Sequence, residues 1–343
     1  MFEILEKYYL DSLYNKNCSL IFVYNHIDDT SIDNIHKSEC VYPEEINQIT
    51  ESFRQIPFIE IIQCESEQTF IDLIPSLKKS CREIYVYSMA QNVEREGRRC
   101  LIPLLCDYYA FTNISGSFKD SFISGNKKLM FNLLRDSRIE TPSKIYVTKE
   151  NIDSFCSDVF LNKRVIIKPF CESASIGIDV LEIRPNNFES FKKLLRKKID
   201  QYRIIIIEEF VIGDEVECTV IKSQNEYIKL PVIKIEKSTE FLDYDTVKLN
   251  LYNYSIYKYK IEEIQRISKL IFDTLDFDVI GRFDFIIDQN KNILLFDITA
   301  NPTISEYSST NCACVNFFSG DSSTIYKLLF YISFYSNHRS HTE

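Results

Sequence analysis

Residues 281–288, with the sequence GRFDFIID, are followed after a polar turn by residues 292–302, with the sequence NILLFDITANP. Apolar residues alternate with polar ones in the first segment and dominate the second, as is typical of strands that cover a core. The residues between them include Asn290 and Lys291, which suit a tight β-turn. The sequence therefore predicts an antiparallel hairpin that closes on Asn290 and Lys291.

Two carboxylates are expected to face each other across this hairpin. In the predicted register Asp284 lies opposite Asp297 and Arg282 opposite Thr299, while the apolar residues from Phe283 onward alternate onto the other face. Opposed like charges destabilise a sheet because their Cβ atoms are only about 4.5–5.5 Å apart. A divalent cation removes this repulsion, and Mg²⁺ prefers carboxylate oxygens. The pattern favours a metal site, and the alternative is a shifted register that leaves both acids solvated.

Two segments further upstream have features of a nucleotide site. Residues 165–177 (VIIKPFCESASIG) form a strand that ends at Lys168 and a small, hydroxyl-rich loop, which can place a cation and backbone N–H groups around phosphate oxygens. Residues 204–216 (IIIIEEFVIGDEV) form an apolar strand that runs into two glutamates and a glycine turn. Each segment alone is unspecific. The first could be a solvated Lys-Pro turn, and the second an ordinary sheet edge with exposed carboxylates.

The hydrophobic pattern predicts two different kinds of sheet along the chain. Strands that alternate with helices in the first part indicate a parallel α/β arrangement, whereas strands joined by turns in the second part indicate antiparallel pairing. The predicted strands are residues 18–24, 58–63, 83–87, 165–168, 178–183, 204–210, 216–221, 228–235, 279–287 and 293–298. The predicted helices are residues 43–55, 124–134, 187–198 and 261–275.

Composition excludes several classes of function. Forty Lys and Arg against fifty Asp and Glu give a net charge of −10, so we expect no nucleic acid partner. No apolar run approaches the roughly 18 residues of a membrane helix, and the acidic start of the chain is unlike a signal peptide, which predicts a cytoplasmic protein without a membrane partner. Eleven irregularly spaced cysteines predict buried thiols. The four histidines lie near the chain ends, so chemistry must rest on Lys, Arg, Asp and Glu.

In combination, the motifs resemble the ATP-grasp superfamily, and most closely its D-alanine-D-alanine ligase branch. The similarity covers roughly residues 95–310 and begins with an acidic glycine turn at residues 94–97. Five motifs occur in the family's order: Lys128 at a helix start, Lys168 before the loop from Glu172 to Gly177, the segment from Glu208 to Glu215, Arg282-Phe283-Asp284, and the strand end from Asp297 to Pro302. Each motif is unspecific, but five in order at suitable spacings are strong.

The resemblance implies an α/β (α+β) architecture, the ATP-grasp fold. We expect an N-terminal parallel α/β domain over residues 1–120. A central small α+β domain would follow over residues 121–210. A C-terminal, mainly antiparallel α+β domain over residues 211–343 would then carry the metal and substrate site.

The resemblance also implies roles for individual residues. Lys128 and Lys168 would bind phosphates, the backbone near Phe210 would bind adenine, and Glu215 would hold the ribose. The expected nucleotide-binding residues are Lys128, Lys168, Glu172, Ser175, Glu208, Glu209, Phe210, Val211 and Glu215. The expected metal ligands are Asp284, Asp297, Thr299 and Asn301. The expected catalytic residues are Arg282, which would stabilise the transition state, Lys248 on a closing loop over residues 241–248, Ser308 and Ser309.

Several positions depart from the family pattern. Ala174 lacks a hydroxyl that helps to organise the first amino acid, and Thr299 replaces the metal-binding asparagine, although Asn301 is two residues away. Thr303 replaces a glycine whose N–H serves an oxyanion, and Ser308 begins a pair of serines where the family holds the second substrate's carboxylate. The N-terminal glutamate that binds the first substrate's amine is not identified. The nucleotide machinery is therefore expected to be retained and D-alanine specificity is not.

The expected activity is that of an ATP-dependent carboxylate-amine ligase, which joins an amino acid or related small acid to an amine through an acyl phosphate. Its cofactors would be ATP and Mg²⁺, with two ions bound or Mn²⁺ in their place, and the chain could form a homodimer. One alternative is a cell-wall D-alanine-D-alanine ligase with drifted motifs. A second is a nucleotide-binding protein without catalysis, and a third is phosphotransfer to a hydroxyl, which would use the same ATP site.

Overall fold

The N-terminal part of the chain is built on a four-stranded parallel sheet with the strand order β2-β1-β3-β4. The structure is a computed structural model that describes residues 1–12, 14–27, 40–91, 95–154, 158–224, 226–318, 320 and 322–339. The strands of this sheet are β1 (Cys18–Val23), β2 (Glu60–Cys64), β3 (Glu83–Ser88) and β4 (Thr112–Asn113). The helices of this part are α1 (Phe2–Asp11), α2 (Pro43–Arg54), α3 (Glu67–Lys79) and α4 (Leu101–Tyr109).

The central part is a four-stranded antiparallel sheet with the order β5-β8-β6-β7. Its strands are β5 (Lys144–Val147), β6 (Arg164–Pro169), β7 (Asp179–Glu182) and β8 (Ile205–Glu209). Two short helices precede the sheet and one long helix covers it: α5 (Phe118–Ser124), α6 (Lys127–Leu133) and α7 (Phe188–Tyr202). The buried face of α7, with Phe191, Leu195 and Ile199, packs against this sheet, so the central part has its own small core.

The C-terminal part contains a six-stranded antiparallel sheet with the order β12-β11-β9-β13-β14, and β10 pairs with β9. The strands are β9 (Gly213–Ser223), β10 (Glu226–Lys229), β11 (Ile233–Lys237), β12 (Tyr252–Ile256), β13 (Ile280–Asp288) and β14 (Ile293–Ala300). The helices are α8 (Tyr244–Lys248), α9 (Ile261–Thr274), α10 (Ser309–Phe317) and α11 (Ser323–Arg339). Because neighbouring strands run antiparallel, short turns suffice for most connections.

The two faces of the six-stranded sheet differ in chemistry. Phe283, Phe285 and Ile287 of β13 are buried against the apolar side of α9, which includes Ile271 and Phe272. The residues between them point to the opposite face, since side chains along a strand alternate between faces. One face therefore anchors the sheet in the core and leaves the other free to carry polar groups.

The last helix returns to the beginning of the chain. Tyr326 and Phe330 of α11 are fully buried in one hydrophobic cluster with Phe53 of α2 and Tyr85 and Tyr87 of β3. Edge-to-face ring contacts, such as Phe53 to Tyr326 at 5.4 Å, join the two ends of the chain. This packing holds the N-terminal sheet beside the C-terminal one.

The structure confirms the predicted fold class, with one correction among the strands. The predicted strand over residues 228–235 is wrong, because β10 ends at Lys229 and β11 begins at Ile233. Pro231 lies between them and has no N–H to donate to a sheet ladder, so the chain breaks its pairing there. The described helices include none that is both long and apolar enough to span a bilayer.

Candidate functional site

A cleft of about 790 Å³ is lined by residues from all three parts of the chain. The polar face of the six-stranded sheet forms its floor, and the central sheet contributes Lys168 and the segment that follows β8. The N-terminal part contributes residues near the start of α2 and the turn before α4. A concave site where several units meet is the usual place for small ligands.

The floor of the cleft carries three carboxylates in a row on adjacent strands. Glu217 of β9 pairs with Asp284 of β13, and Asp284 pairs with Asp297 of β14. Two pairs further along, and on the same face, Arg282 lies opposite Thr299. The predicted pairing of Asp284 with Asp297 is confirmed. Glu217 was not predicted from the sequence as a site residue. It lies two residues after Glu215 on the same strand, so the two side chains point to the same face.

The hairpin reaches this pairing by a different route from the predicted one. Its loop has three residues, because the N–H of Asp288 donates to the carbonyl of Asn292 at 3.1 Å and Lys291 adopts a left-handed φ of 69°. The prediction of closure on Asn290 and Lys291 alone is therefore wrong. A register shift after Asp284, accommodated by a bulge at Phe296, restores the pairing of the two acids.

Arg282 holds Asp284 in a bidentate ion pair. The guanidinium donates from Nε to Oδ1 at 2.9 Å and from Nη2 to Oδ2 at 2.8 Å, and Nη2 lies 3.4 Å from Oε1 of Glu217. Burial raises the pKa of both Asp284 and Glu217, and Arg282 opposes that rise. The two acids in turn hold the pKa of Arg282 well above its usual value. The guanidinium of Arg282 thus contacts two buried carboxylates and stays charged.

Asp297 is held by a lysine that the sequence reasoning did not select. Nζ of Lys127, at the start of α6, donates to both carboxylate oxygens at 2.7 and 2.6 Å, and the N–H of Ile298 donates to Oδ1 at 2.9 Å. Burial alone would raise the pKa of Asp297, but Lys127 and Lys168 lower it below its usual value. Asp297 is therefore ionised at neutral pH.

Lys127 replaces Lys128 as the helix-start lysine of the cleft. Lys128 lines a second, smaller cavity, and its Nζ lies 5.8 Å from the ring centroid of Tyr146. This corrects the expectation that Lys128 binds phosphate. Asn126 caps α6 by accepting from the N–H of Leu129 at 2.9 Å, so Lys127 takes the first position of the helix and turns toward the cleft. Asn126, a residue type that often caps helices, is the feature of the sequence that distinguishes the two lysines.

Lys168 emerges from β6 into the cleft beside Glu208. Its Nζ lies 3.0 Å from Oε1 of Glu208 and 3.4 Å from the carbonyl oxygen of Phe296, the bulged residue. A second lysine, Lys144 of β5, lies 3.1 Å from Oε2 of the same glutamate but does not line the cleft. Burial lowers the pKa of Lys144 to about 8, although Glu208 opposes the change.

The end of β8 and the residues that follow it line the cleft. Glu209, Phe210 and Val211 all contribute to its wall. The Phe210 ring lies 4.2 Å from the guanidinium of Arg164 and makes an edge contact with Phe241 at 6.3 Å between centroids. This ring is therefore held between a cation and the loop that follows β11, which gives the cleft one apolar wall for a flat ligand.

Glu215 lies on the floor of the cleft and is ion-paired with Lys237 of β11. Both side chains are largely buried. Glu215 was predicted from the sequence, whereas Lys237 was not, because the pairing of β11 with β9 decides its position.

The small-residue loop after β6 contacts two other elements. Glu172 pairs with Arg98 at 2.6 Å, and the Ser175 hydroxyl donates to the carbonyl of Leu242 at 2.7 Å. Gly177 has a φ of +71° and lies against Tyr202, whose hydroxyl would be 2.8 Å from a Cβ there. A side chain at Gly177 would therefore force the loop away from α7.

The loop over residues 241–248 forms one side of the cleft. Ser175 ties it to the small-residue loop through Leu242, and α8 within it is capped by Asp243. Lys248 lines the cleft, and its Nζ lies 5.6 Å from the Tyr244 ring. The structure thus places the predicted closing loop next to the predicted phosphate-binding loop.

Two predicted metal ligands, Thr299 near the end of β14 and Asn301 just after it, lie in different places. Thr299 lines the cleft opposite Arg282, whereas Asn301 turns away and donates from Nδ2 to the carbonyl of Ser88 at 2.8 Å. This corrects the expectation that Asn301 binds metal, because its amide links β14 to the N-terminal sheet. Asn301 has a left-handed φ of 51°, which reverses the direction of its side chain.

The two predicted serines at the start of α10, Ser308 and Ser309, also lie in different places. Ser308 lines the cleft, but its hydroxyl donates to the carbonyl of Ser305 at 2.8 Å and caps α10 by accepting from the N–H of Asn311 at 3.1 Å. Ser309 is buried behind the wall and donates to Oε2 of Glu217. This corrects the catalytic role expected for Ser309, whose hydroxyl positions a carboxylate.

The N-terminal part supplies acidic groups that the sequence reasoning did not find. Glu44 and Glu45 at the start of α2 line the cleft, and Oε2 of Glu45 accepts from the N–H of Tyr42 at 2.9 Å. The feature of the sequence that could have pointed to them is an acidic pair directly after Pro43, the first residue of a helix. Of the expected acidic glycine turn, Glu94 lies outside the described residues, whereas Glu96 lines the cleft.

Two acids of the floor fit the way in which Mg²⁺ is usually held in proteins. The described residues contain no group of three His, Cys, Asp or Glu side chains arranged to hold a metal ion. Mg²⁺ typically binds one or two carboxylates and completes its shell with substrate phosphates and water. Asp284 and Asp297, opposed on neighbouring strands and close to two lysines, are a donor set of that kind.

Comparison of the sequence with known families gives a match over the second half of the chain. A family model described as "D-ala D-ala ligase C-terminus" matches residues 143–317, just over half of the chain. A D-alanine-D-alanine ligase of Azobacteroides pseudotrichonymphae genomovar. CFP2 is 25% identical over 195 residues, which are 54% of this chain. The match spans 58% of that relative's length. A D-alanine-D-alanine ligase of Francisella tularensis subsp. novicida (strain U112) is 22% identical over 217 residues, 62% of this chain and 69% of the relative.

Solved structures match over a longer part of the chain. The D-alanine-D-alanine ligase of Bacillus anthracis complexed with ATP has a TM-score of 0.66 and 15% identity, and the match covers 94% of this chain and 98% of that one. The VanG D-Ala:D-Ser ligase of Enterococcus faecalis has a TM-score of 0.68 and 16% identity, with 92% and 99% covered. At this level of identity the likeness establishes the fold.

Proposed function

The chain belongs to the D-alanine-D-alanine ligase branch of the ATP-grasp superfamily, and we propose that it is an ATP- and Mg²⁺-dependent carboxylate-amine ligase. The observation that carries the proposal is the convergence of opposite charges in one cleft. Lys127 and Lys168 lie beside the opposed carboxylates of Asp284 and Asp297, with Arg282 on the same strand as Asp284. Phosphoryl transfer depends on such positioning and charge neutralisation.

The nucleotide occupies the side of the cleft that faces the central sheet. The adenine lies near Glu208 and against the backbone from Glu209 to Val211, and Glu215 holds the ribose. The triphosphate lies between Lys127 and Lys168, whose ammonium groups now contact carboxylates that a phosphate replaces. Lys248, on the loop that Ser175 ties down, approaches the phosphates from the other side.

The first step is the transfer of the γ-phosphoryl group to the acid. An oxygen of the substrate carboxylate attacks the γ-phosphorus, and the bond from that phosphorus to the β–γ bridging oxygen breaks, which yields an acyl phosphate and ADP. Lys127 and Lys168 offset the negative charge that grows on the phosphate oxygens. Asp284 and Asp297 would hold Mg²⁺, as one ion or two, which when bound polarises the phosphoryl oxygens.

The second step joins the amine to the activated acyl group. The neutral amine nitrogen attacks the acyl carbon and the tetrahedral oxyanion collapses. Inorganic phosphate then leaves with its bonding electron pair and takes up the proton that the nitrogen loses. Arg282 is placed to stabilise the oxyanion because Asp284 fixes its guanidinium in a bidentate contact. The N–H of Thr303, which lines the cleft, is a second donor for this oxyanion.

The acid substrate lies toward the N-terminal part. Glu44 at the start of α2 is placed to accept a hydrogen bond from a substrate ammonium group, and Ala174 presents a methyl group to the same cleft. Both features fit an amino acid or a related small acid. The substrate would be closed off from water by the loop over residues 241–248.

Hydroxylamine trapping tests this proposal. The protein is incubated with ATP, Mg²⁺, hydroxylamine and each of a panel of small acids that includes D- and L-amino acids, and both ADP and hydroxamate are measured. Only an acyl phosphate gives a hydroxamate, so a matched rise of both products with one acid is the expected result. Asp284→Asn serves as the inactive control.

Two other results would overturn the proposal in different directions. Tight binding of ATP without ADP release for any acid would indicate a nucleotide-binding protein without catalysis. ADP release with a phosphorylated hydroxyl compound, and no hydroxamate, would indicate phosphotransfer to an alcohol.

A further inference from the structure

Lys144 is a buried cation to which the proposed chemistry gives no role. It lies on β5, the edge strand of the central sheet, and its Cα partner across the ladder is Glu208 of β8. Its side chain is 9% exposed and its Nζ lies 3.3 Å from the ring centroid of Phe131. Burying an ammonium group is costly unless it is paired, so a lysine at this position needs a reason.

The reason lies in a triad of charges on one face of the sheet. The Glu208 carboxylate contacts Lys168 through Oε1 at 3.0 Å and Lys144 through Oε2 at 3.1 Å. The side chains of Glu208 and Lys168 are 2% and 7% exposed. Two cations share one anion, and this buried group carries an excess of one positive charge.

Only one of the two lysines reaches the cleft. Lys168 lines it, whereas Lys144 does not and meets the ring of Phe131 instead. If Glu208 had Lys168 as its sole partner, a phosphate would have to compete with a buried carboxylate for that ammonium group. The loss of Lys168 would also leave Glu208 buried and unpaired, at a high energetic cost.

We propose that Lys144 is a positioning residue of the nucleotide site, which holds Glu208 in place while Lys168 turns from Glu208 to the triphosphate. The excess positive charge of the triad is thereby directed into the cleft. Lys144 acts through Glu208 and never touches the ligand. This inference rests on the nucleotide-binding part of the proposed function and does not depend on the acid, the amine or the ligation step.

Loss of the Lys144 charge should weaken the binding of ligands with phosphates much more than the binding of ligands without them. Lys144→Met removes the charge and keeps an unbranched side chain next to Phe131. Lys168 then remains paired with Glu208, so affinity for the ATP analogue AMPPNP with Mg²⁺ should fall by about tenfold or more. Affinity for adenosine should change by less than about threefold, because adenosine does not require Lys168 to move.

Lys163→Met is the matched control. Lys163 also pairs with a glutamate at the end of β8, Glu209, at 3.3 Å, but the side chains of this pair are 45% and 36% exposed. The same chemical change there should leave the affinities for AMPPNP and adenosine within about twofold of the unaltered protein, since exposed pairs contribute little. Lys144→Arg, which retains the charge, should keep AMPPNP binding closer to normal than Lys144→Met.

Calorimetric titration of the full chain with AMPPNP and adenosine, in the presence of Mg²⁺, measures both affinities for each variant. Equal losses for the two ligands in Lys144→Met would indicate a purely structural role and overturn the inference, as would unchanged AMPPNP affinity. If Lys144→Met does not unfold cooperatively, Lys144→Gln takes its place with the same expectations. Normal nucleotide binding with no ligation would refute the proposed function and leave this inference standing, whereas absence of AMPPNP binding to the unaltered protein would refute both.

Discussion

Asp284 and Asp297 face each other across two neighbouring strands, and a register shift begins at the very next pair along the hairpin. The three-residue loop by itself would place Phe296 opposite Asp284 and turn Asp297 toward the core. The bulge at Phe296 corrects this by one residue, so that Leu295 and Ile298 both stay in the core while Asp297 enters the cleft. The pairing of these two carboxylates therefore depends on a local irregularity of the backbone.

Asp297→Asn should reduce turnover by at least about 100-fold, because it removes one of the two carboxylates that we propose to hold Mg²⁺. The amide oxygen can still accept from Lys127, so the fold should be kept. ADP release under saturating ATP measures turnover, and Asp153→Asn, at an exposed ion pair with Arg196, is the control. Near-normal activity of Asp297→Asn would refute the metal assignment.

The two adjacent lysines at the start of α6 should differ sharply. Lys127→Ala should weaken ATP binding by about 1.5–3 kcal/mol, the scale of a charged hydrogen bond. Lys128→Ala should change it by less than about 0.5 kcal/mol, because Lys128 lies over Tyr146 in another cavity. Calorimetry with AMPPNP gives both values. A larger loss of affinity for Lys128→Ala than for Lys127→Ala would show that α6 is rotated by about one residue from the orientation described.

D-alanine should not be the preferred acid. The methyl group of Ala174 lines the cleft in the loop next to Ser175, at a position with a left-handed φ of 48°, and cannot hydrogen-bond a substrate group. A site discriminates strongly only through polar groups that it pairs with the substrate. In the hydroxamate screen, a higher kcat/KM with D-alanine than with every other acid would contradict this expectation.

Stability should depend on pH through Asp120 at the start of α5. Its buried carboxylate accepts from the N–H groups of Ser117 and Asp278 at 3.3 and 3.0 Å, yet burial raises its pKa to about 6. An unfolded aspartate ionises near pH 4, so between about pH 4 and pH 6 the folded protein binds more protons than the unfolded chain. The contribution of Asp120 to stability therefore falls as pH rises through that range.

Asp120→Asn should remove this dependence. The free energy of unfolding of the variant, relative to that of the unaltered protein, should rise by about 2–3 kcal/mol from pH 4 to pH 7. Urea denaturation at several pH values measures it, with the exposed Asp72→Asn as the control. Parallel pH curves for the two proteins would contradict the raised pKa.

The sequence alone determined the family and the fold class. The reason is that the motifs around Lys168, Arg282 and Asp284 are local, and period-two alternation on β13 decides which residues face the core whatever the rest of the chain does. Each such motif can therefore be recognised from its own residues, without knowledge of the fold. The order of five motifs then sufficed to identify the superfamily.

The tertiary structure decided which charges meet. Lys127 rather than Lys128 reaches Asp297, 170 residues away in the chain, because a helix cap sets the rotation of α6 and the packing of three units sets its distance from β14. Glu217 and Lys144 acquire their importance only from strand neighbours that are far away in sequence. Local patterns specify the elements and the faces they bury, but pairing between distant strands depends on the free energy of the whole packed core, which no single segment contains.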